Sequence, residues 1–327
     1  MKFLSQNSFN FFIYAPKNDK YLRDKWRIPY PAEKIAELYK FASQCLVSNV
    51  SFGIGLSPLQ LFEDFNSSEK SYLKSKISAL EQVGVTELSI LFDDMKGNIP
   101  DIALRQAEII NWVHENVKNC SVSMCPTYYT DERILDRIFG QRPERYLEDL
   151  GSNLHPDISV FWTGEEVCAY EISAGHLADV NSRLGRKVRL WDNYPVNDDK
   201  KMSNFLHLRS FTGRSHQIES LISGHAINPA LQPWLSCIPA LTLKDCYSQK
   251  ENYQYMKSFY SACDTVLGSD LSNHVKKDYL LFNNVGYSNL GNKLLSLRSK
   301  YASIIGKPAE EIQKWLSGGY VFDANLT

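Results

Sequence analysis

Apolar residues recur along this chain in two alternating rhythms. Short runs read as strands: 9–16 (FNFFIYAP), 50–58 (VSFGIGLSP), 88–92 (LSILF), 122–129 (VSMCPTYY), 158–164 (ISVFWTG), 187–193 (KVRLWDN) and 222–229 (ISGHAINP). Between them lie segments with apolar positions three and four residues apart, the spacing of one helical face. In 32–46 that stripe is Ile35, Leu38, Tyr39 and Ala42; in 100–117 it is Ala103, Ala107, Ile110, Val113 and Val117. Gly84 is placed to stop the helix over 68–84, and Pro100 to open the next one. Further helices are predicted over 132–139, 143–150, 166–183 and 202–221, with 1–8 as the end of a helix. After about residue 235 no strand pattern remains, and 251–267, 290–304 and 308–317 read as helices.

Strand–helix alternation implies a parallel sheet, because parallel neighbours need a crossover connection. Seven strands suit an open sheet or most of a (β/α)8 barrel. The barrel is favoured by the polar residues at the strand ends: Lys17, Asp93 with Asp94, Tyr129, Thr163, Asp192 with Asn193, and Asn228. A barrel collects such ends around one mouth. The expected fold is an α/β (β/α)8 TIM-type barrel that lacks its first strand, followed by a helical C-terminal part. The expected domains are 1–250 and 251–327.

Composition narrows the function classes. The chain has 327 residues, 43% of them hydrophobic, enough for one large or two medium domains. A formal net charge of −1 offers no basic field for nucleic acid or anionic lipid. Seven widely spaced cysteines without a CxxC suggest reduced, mostly buried thiols. No apolar run approaches the ~18 residues of a membrane span. The first residues do not read as a signal peptide, so a cytoplasmic location is the default, subject to any signal encoded upstream.

Asp93 and Asp94 carry the clearest chemistry. Successive strand side chains point to opposite faces, so both carboxylates reach one ligand only if the chain bends at the strand end. Two close carboxylates resist joint ionisation, which pushes one towards acting as an acid near neutral pH. Binding of a metal by the pair is the rival use, but further oxygen ligands cannot be assigned. The aromatic residues Tyr128, Tyr129, Trp162, Trp191 and Tyr194, mixed with carboxylates and amides, suit a sugar pocket; core filling is the alternative for each. The seven histidines show no HExxH or HxH zinc spacing. His114 is expected to face solvent or to be a satisfied core histidine, and His225 to border the site or to be structural. Cys125 reads as a buried thiol.

Six segments in order, YAPKND (14–19), LFDDM (91–95), CPTYY (125–129), WTG (162–164), LWDNYPVND (190–198) and INP (227–229), resemble family-84 glycoside hydrolases. These are β-N-acetylglucosaminidases that include protein O-GlcNAcases and bacterial enzymes once called hyaluronidases. The resemblance spans about residues 9–250. It implies retaining hydrolysis in which the substrate's 2-acetamido oxygen is the nucleophile. It assigns Asp93 to the acetamido N–H, as an anion, and Asp94 to protonation of the leaving oxygen. It assigns Tyr129 to the acetamido oxygen, Trp191 to the wall of the acetamide pocket, Lys17 to a ring hydroxyl, and Asn193, Asp198 and Asn228 to hydroxyls or the acetamide. It implies no metal or organic cofactor, and as partner a GlcNAc-bearing glycan or glycoprotein. In the family a Gly-Phe-Tyr-Gly-like strand precedes the YAPK strand; residues 1–13 contain none, so the reading is of an N-terminally truncated barrel. A second reading is therefore a non-catalytic homologue that binds GlcNAc-containing ligands. Glu165 and Glu166 after WTG depart from the proline and basic residue expected there.

Overall fold

The computed structural model describes residues 1–320. Its seven strands are β1 (Phe11–Tyr14), β2 (Ser51–Leu56), β3 (Glu87–Leu91), β4 (Ser121–Cys125), β5 (Ser159–Trp162), β6 (Val188–Asp192) and β7 (Ile222–Ile227). They form one sheet in sequence order, and the pairs from β1 to β6 are parallel. The helices are α1 (Lys2–Gln6), α2 (Ala32–Val47), α3 (Ser67–Val83), α4 (Ile102–Asn116), α5 (Ile134–Phe139), α6 (Tyr146–Asn153), α7 (Ala174–Leu184), α8 (Cys237–Gln249), α9 (Tyr255–Leu280), α10 (Lys293–Ala302) and α11 (Lys307–Leu316). This is an incomplete (β/α)8 barrel followed by helices. No eighth strand occurs among the described residues. None of their helices is long and apolar enough to cross a membrane.

The chain packs as two units. The first comprises 1–167, 175–190 and 221–224; the second holds 168–174, 191–220 and the residues from 225 onward. In the first, every residue of β3 is buried and β2 is exposed only at Ser51, as expected of strands covered on both faces. The polar side chains at the centre of the sheet pair across strands. Glu87 on β3 accepts from Ser123 on β4 (2.9 Å) and forms an ion pair with Arg189. The Arg189 guanidinium lies 4.0 Å from the centre of the Phe11 ring. Asn66 caps α3, its side chain accepting from the N–H groups of Ser68 and Glu69, and left-handed Gly84 (φ 96°) ends it.

The structure differs from the sequence expectation at several elements. Pro100 and Asp101 precede α4 instead of opening it. Tyr39 of α2 points outward, leaving Leu38, Ala42 and Cys45 as the buried stripe. The helix expected over 166–183 begins only at Ala174. Residues 202–221 are not a continuous helix but two 3₁₀ turns, Met202–Asn204 and His216–Leu221, around an extended stretch. Leu206, Leu208 and Ser210 are buried while His207 and Arg209 are not, a period of two and not of 3.6. Helix α8 was missed because it is buried on most sides, with Ile238, Ala240, Leu241, Leu243 and Cys246 all inside, and so presents no polar stripe.

Candidate active site

The first unit places the aspartate pair where β3 ends. The Phe92 N–H still bonds to the Cys125 carbonyl (2.9 Å), continuing the β3–β4 ladder. Two residues later the backbone of Asp94 is left-handed (φ 59°). Asp and Asn enter this region more readily than other side-chain-bearing residues. That turn is the bend the sequence required if two adjacent carboxylates are to serve one ligand.

The two side chains meet different surroundings. Asp94 is exposed, with Oδ2 3.9 Å from Lys17 Nζ. Asp93 is half-buried, and its Oδ1 is shut off from solvent without a hydrogen-bond partner. Burial, and then the charge of Asp94, push the Asp93 pKa up to about 6, against the pull of Arg23 and Lys17. A buried acceptor with no donor is costly in a folded protein. Here it stands next to the exposed carboxyl of Asp94, and a hydrogen-bond donor would satisfy it. Arg23 had no sequence signal, since it lies in the loop after β1, outside every motif.

A buried polar chain holds this strand end. Thr127 donates its hydroxyl to the Phe92 carbonyl (2.9 Å), Gln106 of α4 donates to Thr127 (2.8 Å), and the Tyr146 hydroxyl donates to Gln106. The loop after the pair is pinned by Gly97 N–H to the Phe139 carbonyl (2.7 Å); a Cβ on Gly97 would come within 2.1 Å of the Tyr128 hydroxyl oxygen. Thr127→Val is expected to leave the Phe92 carbonyl and the Gln106 amide unpaired. A loss of about 2–4 kcal/mol follows from two orphaned buried groups. Urea unfolding of the variant checks it; a change within about 0.5 kcal/mol, the usual surface value, would refute this role.

Other strand-end residues of the unit divide between core and rim. Tyr129, 9% exposed, accepts through its carbonyl from the Thr163 N–H (3.0 Å). Trp162 is fully buried and donates its indole N–H to His176 (2.9 Å), and Tyr128 is also core. The Thr163 hydroxyl donates to the Glu166 carbonyl (3.0 Å), so the departure after WTG is tied back to the strand end. Cys125 is buried, and burial followed by the two aspartate charges pushes its pKa well up, so it remains a thiol.

The second unit holds the remaining predicted residues. Asn228 donates its amide to the Asn193 side-chain oxygen (3.0 Å), and its N–H to the Asp192 carbonyl (2.9 Å). Trp191 and Asp198 are half-buried. Beneath them Asp192 is buried in a full set of partners. Arg214 donates Nε (2.8 Å) and Nη2 (2.7 Å) to its carboxylate, and His225 Nε2 lies at 3.0 Å. Burial alone would raise the Asp192 pKa, but the Arg214 and His225 hydrogen bonds and charges hold it below the usual range. The other ring nitrogen of His225 meets the Tyr247 hydroxyl (2.7 Å). His225 is thus a satisfied structural histidine. Arg214 also donates to the carbonyls of Ala169, Tyr170 and Thr212, which ties its own segment to residues 169–170. The sequence hid Arg214, whose segment it read as helical.

Among the described residues the aspartate pair belongs to no group of three metal-ligating side chains; one such group, His114, His155 and Asp157, lies elsewhere.

A protein-family model for NAGidase, beta-N-acetylglucosaminidase, matches residues 1–282. The chain belongs to this family, glycoside hydrolase family 84. It is 29% identical over 259 residues to the protein O-GlcNAcases of Mus musculus and of Rattus norvegicus, a match covering 76% of this chain and 28% of each relative. The aligned part thus spans about 28% of the length of these relatives. A solved structure of a Thermobaculum terrenum O-GlcNAc hydrolase mutant superposes with a TM-score of 0.79 at 26% identity, over 98% of this chain and 76% of that one.

Proposed function

We propose that the chain is a retaining β-N-acetylglucosaminidase that removes terminal GlcNAc from glycoconjugates with help from the substrate's own acetamido group. Family membership supports the class of reaction, and the names of the rodent and bacterial relatives support O-GlcNAc-bearing glycoproteins as the substrate type. The observation that carries the mechanism is the unpartnered, buried Oδ1 of Asp93 next to the exposed carboxyl of Asp94.

The acetamido N–H donates to Asp93, which makes the acetamido oxygen more electron-rich. That oxygen attacks the anomeric carbon as the glycosidic bond breaks, and Asp94 gives its proton to the leaving oxygen. The product is a bicyclic oxazoline-like intermediate whose positive charge faces anionic Asp93. Asp94, now a carboxylate, takes a proton from water as the water opens the ring, and the two displacements give retention. Tyr129 holds the acetamido oxygen and Lys17 a ring hydroxyl. Trp191 lines the acetamide pocket, and Asn193, Asp198 and Asn228 take hydroxyls or the acetamide. These steps draw on no metal or organic cofactor.

In the free protein the raised pKa sits on Asp93, yet the reaction needs the proton on Asp94. Substrate resolves this. An N–H donor favours ionised Asp93, and the proton the pair shares then moves to its neighbour. Two measurements follow. In kcat/KM, which reports the free protein, activity is expected to fall as pH rises through about 6, where Asp93 gives up the proton that Asp94 must receive. Stepwise fluorination of the N-acetyl group in an aryl β-N-acetylglucosaminide weakens the acetamido oxygen as nucleophile, and the rate should fall with each fluorine. A rate insensitive to fluorination would exclude participation by the acetamide.

A further inference from the structure

Outside the strand-end residues, one cluster in the first unit has the chemistry of a ligand site. His114 lies in the last turn of α4; His155 and Asp157 lie in the short loop that leads into β5. One ring nitrogen from each histidine and one Asp157 carboxylate oxygen are all within 4.8 Å of one another. The imidazoles are stacked, with centroids 4.3 Å apart and planes 28° from parallel. His114 Nδ1 is shut off from solvent and has no hydrogen-bond partner. The two rings, with Glu115 and Asn111, border a cleft of about 260 Å³.

The backbone around the cluster is clamped from both sides. Asn111, one turn before His114 on α4, accepts from the His155 N–H (2.9 Å) and donates to the Asn153 carbonyl (2.7 Å). The Arg186 guanidinium donates to the carbonyls of Gly151, Leu154, His155 and Ile158, at 2.8–3.0 Å. Its charge is engaged by these four acceptors, while Glu115 lines the cleft with a carboxylate. The side chains of His155 and Asp157 are 48% and 77% exposed, so they can turn on a fixed loop. Tetrahedral bonds of about 2.1 Å need ligand atoms about 3.4 Å apart. Rotation of those two side chains supplies that contraction once His155 gives up the 3.3 Å bond from the Asp157 N–H.

We infer that His114, His155 and Asp157 form a binding site for a divalent transition ion of the zinc and nickel type, which fastens α4 to the loop entering β5. Two imidazoles and one carboxylate are the donor set such ions prefer, with solvent in the fourth position. The cluster lies at the N-terminal end of β5 and the aspartate pair at the C-terminal end of β3, in strands that run parallel through β4. The site is therefore structural and independent of the proposed hydrolysis.

The test is calorimetric titration of the full chain, carrying Cys168→Ser to remove an exposed thiol, with Zn²⁺ and separately with Ni²⁺. One saturable site is expected, together with a higher unfolding temperature in Zn²⁺. His114→Ala and His155→Ala should each weaken binding by more than about 10-fold, the smallest loss typical for a mere outer partner of a metal site; Asp157→Asn should weaken it less. Hydrolysis of an aryl GlcNAc should not change in His155→Ala. Because the His155 side chain is exposed, that variant keeps its circular dichroism spectrum and decides the matter even if His114→Ala does not fold. Absence of saturable binding, or equal affinity in His155→Ala, overturns the site.

Discussion

Asp94→Asn is expected to lower turnover of an alkyl-linked or seryl-linked β-GlcNAc by roughly 10²–10⁴-fold, the usual contribution of a positioned proton donor. Asparagine tolerates the left-handed turn at this position as aspartate does, so the loss is chemical and not conformational. An amide neither donates a proton at the required acidity nor takes one from water. With a dinitrophenyl leaving group, which departs without protonation, the first step should be nearly restored and the opening of the intermediate should become limiting. Steady-state rates on the two substrates, with a search for a product burst, measure this. Equal losses with both leaving groups would show that Asp94 is not the donor.

Asp93→Asn is expected to separate stability from activity. Asp93 carries a pKa of about 6 where an unfolded aspartate has about 4, so the native state binds the proton more tightly. Between those values stability falls as pH rises, and above pH 6 the ionised carboxylate is a standing cost to the fold. Asparagine has no charge to bury. The variant should gain about 1–3 kcal/mol at pH 7.5, and the gain should vanish below about pH 4, where aspartate is neutral in both states. Turnover should meanwhile fall by roughly 10²–10³-fold, the cost of removing one preorganised electrostatic partner of the reacting centre. The loss should be similar for good and poor leaving groups, unlike that of Asp94→Asn. Urea unfolding at the two pH values tests the first half. A variant less stable than the parent at pH 7.5 would mean that Lys17 and Arg23 outweigh burial.

Most of the barrel was legible because its signals are local. Each strand is a short apolar run between turn residues, and each flanking helix buries one stripe, so β1 to β7 and α2 to α4 fall where the pattern puts them. The misread parts lack a stripe. Helix α8 is buried on most sides, and 205–210 alternates with a period of two inside a stretch that looks helical only by composition. The sequence pointed to the polar strand ends Lys17, Asp93, Asp94, Tyr129, Thr163, Asp192, Asn193 and Asn228, and the structure brings Lys17 to Asp94 and Asn228 to Asn193. It gave no hint of Arg23, Arg214 or the Thr127–Gln106–Tyr146 chain, whose members are 19 to 40 residues apart. Such contacts depend on which elements become neighbours, and no local spacing records that.

The order of strands and helices, the adjacency of two carboxylates at a strand end and the family resemblance were all set by the sequence, since each depends on neighbours along the chain. Folding alone decided which aspartate lost its water and which kept it, because burial is a property of everything packed around a group. It decided likewise that His225 would be locked against Asp192, and that His114 would find His155 forty-one positions away.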